Sequence, residues 1–166
     1  MKIVLASRNK KKIKELEDLL AKHIPEIEVF SLDDIGFEGE IVEDGEGFDD
    51  NAYIKASTVA RLGYIGVGDD SGLCVDALEG EPGVYSARYS DEGTDEANNI
   101  KLLSKLSDVE DDMRTARFVC SVCCYFSEDN YFFVNGKCEG KIAKEAHGNG
   151  GFGYYPLFIV GDLSFA

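Results

Sequence analysis

Apolar positions in the first third of the chain follow two different periods. Ile3 to Ala6 is a continuous apolar run of strand length. Lys10 to Lys22 then carries Ile13, Leu16, Leu19 and Leu20 at helical spacing, which predicts a strand and an amphipathic helix, stopped by Pro25. Ile27 to Leu32 alternates weakly and reads as a short strand, whereas Gly36 to Gly47 is acidic and glycine-rich and reads as loop. Phe48 to Leu62 returns to the helical period, with Phe48, Ala52, Ala56, Val59 and Ala60 on one face and Gly63 suited to the C-cap. Tyr64 to Gly68 is expected to be a strand that ends in Asp69-Asp70-Ser71-Gly72, with Leu73 to Leu78 extended beyond it and a turn at Gly80 to Gly83. A third helix spans Thr94 to Leu106, with Ile100, Leu103 and Leu106 directed inward. Ala116 to Phe126 and Tyr131 to Cys138 are long β-rich runs joined by a hairpin at Ser127 to Asn130. Lys141 to Ala146 reads as a further strand, His147 to Gly153 as a loop, and Tyr154 to Val160 as the last strand. The mixture is α/β with substantial antiparallel content.

Charge changes this picture at the N-terminus. Six of the 17 basic residues lie in the first fourteen positions, where no acidic residue occurs, yet the whole chain carries a net charge of -15. Ser7, Arg8, Asn9, Lys10, Lys11 and Lys12 occupy the junction between the first strand and its helix, the place where open α/β sheets bind ligands. A helix N-terminus offers unpaired N–H groups and partial positive charge to an anion, and three lysines in the first turn oppose the helix dipole unless an anion offsets them. A plain N-cap followed by a solvated basic face accounts for the same residues. An acidic protein that binds a polyanion must focus positive potential in one place, and this is the one basic concentration in the chain.

The remaining composition mainly excludes. A length of 166 residues fits one domain, and no apolar run reaches the length of a membrane span. The basic N-terminus lacks the apolar core of a signal peptide. Five cysteines, three of them at 120, 123 and 124 in one strand-like run, fit a reduced cytoplasmic setting better than a disulfide framework, and no second Cys/His pair has zinc-ligand spacing. The negative charge argues against duplex nucleic acid as a partner.

Three further groups of residues could carry chemistry. Asp69 and Asp70 are adjacent carboxylates whose repulsion a cation would relieve, and strand alternation lets only one of them face a given site. One could hold Mg²⁺, with a second carboxylate from Glu43-Asp44 and a hydroxyl from Ser71; an Asx turn closed by Gly72 is the structural alternative. Asn51 and Lys55 stack one helical turn apart, either as exposed residues or as an amide and a cation added to a phosphate site. The segment from Gly148 to Pro156 combines backbone freedom with Phe152 and Tyr154, which could stack on a planar base or simply enter the core.

Five blocks in order carry a family resemblance: Ala6 to Lys12; Glu43-Asp-Gly45 with Phe48 and Asn51 to Ala56; Asp69 to Leu73; Pro82 to Arg88; and Gly150 to Tyr154. Together they resemble the inosine/xanthosine triphosphate pyrophosphatases over nearly the whole chain. The resemblance implies a long, mixed, curved sheet flanked by helices, in two lobes with a central cleft, forming one nucleoside triphosphate pyrophosphatase domain over residues 1–166. It implies hydrolysis of ITP, dITP and XTP to monophosphate and pyrophosphate by Mg²⁺-activated water, in a cytoplasmic homodimer. Ser7, Asn9 and Lys12, with Arg8, Lys10 and Lys11 and the backbone between them, would grip the triphosphate together with Lys55. Glu43 and Asp70 would hold Mg²⁺, Asp70 would act as the base, and Ser71 would touch the substrate. Phe152, Gly153, Tyr154 and Tyr155 would line the purine pocket.

Two departures qualify the expected specificity. Tyr155 stands where the family has an Asp that helps read the base, and a tyrosine supplies a ring and a hydroxyl but no carboxylate. The sequence stops at Ala166, ahead of the Ser-His-Arg triplet and terminal helix with which the family continues. A chain of this kind is expected to lack the family's C-terminal segment and to show weakened selectivity for inosine over adenosine. The alternative function is a catalytically impaired nucleotide-binding remnant.

Overall fold

A computed structural model describes residues 1–148 and 152–161. Its elements are β1 (Lys2–Leu5), α1 (Lys10–Ala21), β2 (Glu28–Phe30), α2 (Phe48–Ala60), β3 (Gly66–Val75), α3 (Asp95–Lys105), β4 (Thr115–Ser127), β5 (Asn130–Ile142) and β6 (Phe158–Val160), with short 3-10 turns between several of them. The strands form one mixed sheet in the order β2-β1-β3-β4-β5-β6. β1 lies parallel to β2, with Ile3 opposite Val29, and parallel to β3, with Leu5 opposite Val67. At the other end β5 and β6 run antiparallel, with Lys141 opposite Ile159.

The chain divides into two compact units, and β3, β4 and β5 contribute residues to both. The first comprises residues 1–70 and 121–135. Here β1 is buried on both faces, which is why its sequence is continuously apolar rather than alternating. Ile3 and Leu5 pack with Ile13, Leu16 and Leu20 of α1, while Val4 and Ala6 pack with Val59 of α2. Leu19, expected on the apolar stripe of α1, is instead 58% exposed, since the seam needs only Ile13, Leu16 and Leu20. α2 approaches β3 so closely that a Cβ at Gly66 or Gly68 would stand 2.1 Å from the carbonyl oxygen of Ala56 or Ala52. Gly66-Val67-Gly68 is thus a helix-packing device, matched by the small residues Ala52 and Ala56.

The second unit comprises residues 71–120 and 136 onward. Its core gathers Leu73, Val75, Tyr89, Leu102, Leu106, Ala116, Ile142, Tyr154 and Leu157. Along α3 and its C-cap the inward positions are Asn98, Leu102 and Leu106, a four-residue spacing, so Ile100 points outward and is 61% exposed.

Several boundaries differ from the sequence reading. β3 does not end at Asp69 but runs through Asp69-Asp70-Ser71-Gly72 to Val75, which removes the Asx-turn alternative. The extended run expected to Leu78 gives way to a 3-10 turn at Asp76–Leu78. Lys141 and Ile142 are the end of β5 and not a separate strand, because the hairpin arms are 13 residues each. Tyr155–Leu157 forms a 3-10 turn around Pro156, which shortens the last strand to Phe158–Val160.

Candidate functional site

Strand alternation in β3 organises the site in the first unit. Val67 packs with the α1 side of the sheet, and Asp69, two residues on, meets Lys12 of α1 at 2.5 Å. Gly66 and Gly68 lie against α2, and Asp70 on that same side accepts from Asn51 Nδ2 at 2.9 Å. The two neighbouring carboxylates therefore point to opposite helices, and each meets a donor there. The glycines make this possible: with α2 seated directly on β3, Asn51 and Lys55 come beside the part of the strand that carries the aspartates.

Asn51 is the residue that sequence reasoning undervalued. An exposed position and a phosphate contact were the two readings, but its side chain is 1% exposed and bridges two parts of the site. It donates to Asp70 and accepts from the backbone N–H of Gly45 at 2.9 Å. The loop bearing Glu43 is thereby tied to the strand bearing Asp70. Lys55 itself pairs with Glu43 at 2.9 Å and is 12% exposed in its side chain.

Ser7, Arg8, Lys12, Glu43, Lys55 and Asp69 all line one cavity of about 400 Å³, with Glu40 completing its charged wall. Three cations and three carboxylates thus surround one space. Arg8 lines it while also anchoring the following loop, donating to Asp33 and to the carbonyls of Phe37 and Gly39, each at 2.9 Å. Asn9 caps α1, its side-chain oxygen accepting from the N–H groups of Lys11 and Lys12. Two of the first-turn amides expected to meet phosphate are thereby already occupied. Ser7 Oγ accepts from Asn9 N–H at 3.1 Å and stabilises the same turn. Lys10 and Lys11 are exposed and do not line the cavity.

The residues expected to read the base belong to the second unit. Ser71 and Tyr155 line a pocket of about 520 Å³ with Phe118, Cys120, Cys138 and Phe158. Phe152 and Tyr155 are 73% and 51% exposed, with ring centroids 5.0 Å apart. Tyr154 is placed differently. Its ring is buried in the core, its hydroxyl donates to the carbonyl of Ser86 at 2.7 Å, and burial pushes that hydroxyl well above the ordinary tyrosine pKa. Gly150 and Gly151 of this segment lie outside the described residues.

A mixed α/β sheet with a charged cavity at its opening strand–turn–helix defines the class. Within it, this chain belongs to the Ham1 family, whose sequence profile matches residues 3–166. A dITP/XTP pyrophosphatase of Leuconostoc mesenteroides is 44% identical over 99% of this chain and 83% of its own length. One from Listeria monocytogenes is 49% identical over 98% of this chain and 80% of its own length. The crystal structure of a nucleoside-triphosphatase, dITP/XTP pyrophosphatase, from Mycobacterium abscessus superposes with a TM-score of 0.86 at 44% identity, covering 97% of this chain and 84% of that one. The Staphylococcus aureus Ham1 protein gives 0.88 at 36% identity, over 97% and 82%. No helix among the described residues is long and apolar enough to cross a membrane.

Proposed function

We propose that this chain hydrolyses non-standard purine nucleoside triphosphates, of the dITP and XTP kind, to the monophosphate and pyrophosphate. It is a nucleoside triphosphate pyrophosphatase, a hydrolase acting on acid anhydrides, with residues 1–166 as one pyrophosphatase domain. The observation that carries the reading is the cavity where Lys12, Lys55 and Arg8 stand beside the carboxylates of Asp69, Glu40 and Glu43, in a member of this family.

Magnesium fits the donors present. Asp70 and Glu43 would supply hard carboxylate oxygens, the ligand type that Mg²⁺ takes alongside substrate phosphate. Bound there, Mg²⁺ supplies charge neutralisation to the phosphate chain and acidity to water. Asp70, held by Asn51, takes the proton of the attacking water. Lys12 and Lys55 exchange their carboxylate partners for phosphate oxygens and stabilise the charge that gathers on departing pyrophosphate. Ser7 and the first turn of α1 orient the chain of phosphates, with Lys10 and Lys11 adding long-range attraction. Phe152 and Tyr155 offer rings to the base, with Ser71 as a polar contact and Gly153 and Tyr154 shaping the segment. A cytoplasmic setting is supported by five free cysteines, and a homodimer by the exposed Phe126, Phe132 and Phe133 of the β4–β5 hairpin.

The test is product analysis with ITP, dITP, XTP and ATP, with Mg²⁺ and with chelator. Equimolar monophosphate and pyrophosphate, abolished by chelation, are expected. Asp70→Asn should lower kcat by about 10²-fold or more, the worth of a general base. Release of single phosphates, or near-native turnover by Asp70→Asn, overturns the assignment.

A further inference from the structure

Gly153 is gripped from both sides by the first turns of α3. The carboxylate of Asp95 accepts from its backbone N–H at 2.8 Å, and Nδ2 of Asn99 donates to its carbonyl at 3.0 Å. The two side chains stand one helical turn apart, so together they reach the two peptide units that flank one residue. Gly153 has φ +61, in the left-handed region that favours glycine. We infer that Asp95 and Asn99 are positioning residues for base recognition: they fix the backbone from which Phe152 and Tyr155 are presented.

Neighbouring contacts extend the clamp through the second unit. Tyr154, next along, is anchored through its hydroxyl to Ser86 O. Ser86 Oγ in turn accepts from the N–H of Leu73, two residues beyond Ser71 on β3. Asn98, beside Asn99, donates to the carbonyls of Ser86 and Ala87 and accepts from Ser90. The aromatic segment and the strand bearing Ser71 are thus referenced to one helix. Phe152 and Tyr155 remain exposed while the peptides around them are held, as expected where a ring must meet a ligand without reorganising. Asn99 keeps a polar group here at a cost, since its Oδ1 is buried with no partner among the described residues. Its bond to Gly153 offsets that cost.

This inference rests on the base being read by Phe152 and Tyr155, and the experiment separates base from phosphate. Calorimetry on the whole chain with Mg²⁺ compares an α,β-imido analogue of ITP with inorganic tripolyphosphate, alongside KM and kcat for ITP. Asp95→Ala and Asn99→Ala should each weaken the analogue, and raise KM, by about tenfold, the worth of one well-placed hydrogen bond. Tripolyphosphate binding and kcat should stay within about twofold. Asp95→Asn, whose amide oxygen still accepts from Gly153, should restore most of the affinity. If Asp95→Ala does not fold, Asn99→Ala carries the same expectation from the other side of Gly153. Equal weakening of both ligands, or of neither, overturns the inference. Wild-type protein that binds the analogue yet releases no pyrophosphate from ITP refutes the proposed reaction, and the clamp is then judged on affinity alone. Wild-type protein that binds neither ligand overturns both.

Discussion

Replacing Asn51 by alanine should cost this protein both stability and turnover, and the structure sets the size of each. The side chain is 1% exposed and makes two bonds, to the carboxylate of Asp70 and from the N–H of Gly45. A bond to a charged group contributes about 1.5–3 kcal/mol and a neutral one about 1, so alanine should remove about 3 kcal/mol in all. For a chain of this size that corresponds to a fall in Tm of roughly 6–12 °C, measured by calorimetry or circular dichroism. In turnover, Asp70 loses the group that orients it, and kcat for ITP should fall more than about tenfold while KM changes little. Asn51→Asp sharpens the test. One carboxylate oxygen still accepts from Gly45, but the other then faces Asp70 and repels it. Asn51→Asp should therefore depress kcat at least as far as alanine does, although it is the closer isostere. An aspartate variant with near-native kcat would refute the claim that Asn51 acts by donating to Asp70.

Further expectations probe other parts of the framework. Gly68→Ala places a Cβ 2.1 Å from Ala52 O and must push α2 off β3; overpacking of this kind costs about 1–3 kcal/mol, and kcat should fall with it because α2 carries Asn51 and Lys55. Arg114 is 3% exposed and donates to the carbonyls of Leu106, Val109, Ile142 and Ala143, so Arg114→Met should lower stability by about 3–5 kcal/mol in urea unfolding by stranding those acceptors. Cys138 is exposed, whereas burial pushes the Cys123 thiol up to about 11. Iodoacetamide at pH 8 should therefore modify Cys138 first in mass spectrometry, with Cys123 protected. The same raised pKa makes Cys123 stabilising below its ordinary value of 9.0, a contribution lost as pH climbs toward about 11.

Local pattern alone determined much of this protein. The first strand, all three helices, the β4–β5 hairpin and the loop from Gly36 to Gly47 follow from apolar period and turn chemistry, because those signals act within a few residues. The basic turn at Ser7 to Lys12 and the Asp69-Asp70 pair were legible too, as was the family resemblance they helped to carry. Which aspartate meets which helix was not, because that depends on whether α1 or α2 covers a given face of β3. Nor was the burial of Asn51: an amide one turn before a lysine looks like surface until two glycines let the helix sit on the strand. The register of α3 behaved likewise, with Leu102 inside and Ile100 outside, since both satisfy a loose helical period and only the packed core selects between them. Tyr154 and Phe152 show the same division two residues apart. Their sequence context is shared, but the left-handed turn at Gly153 sends one ring into the core and leaves the other in solvent. Short-range chemistry is written along the chain, whereas the direction in which a side chain meets a distant partner exists only once the layers have packed.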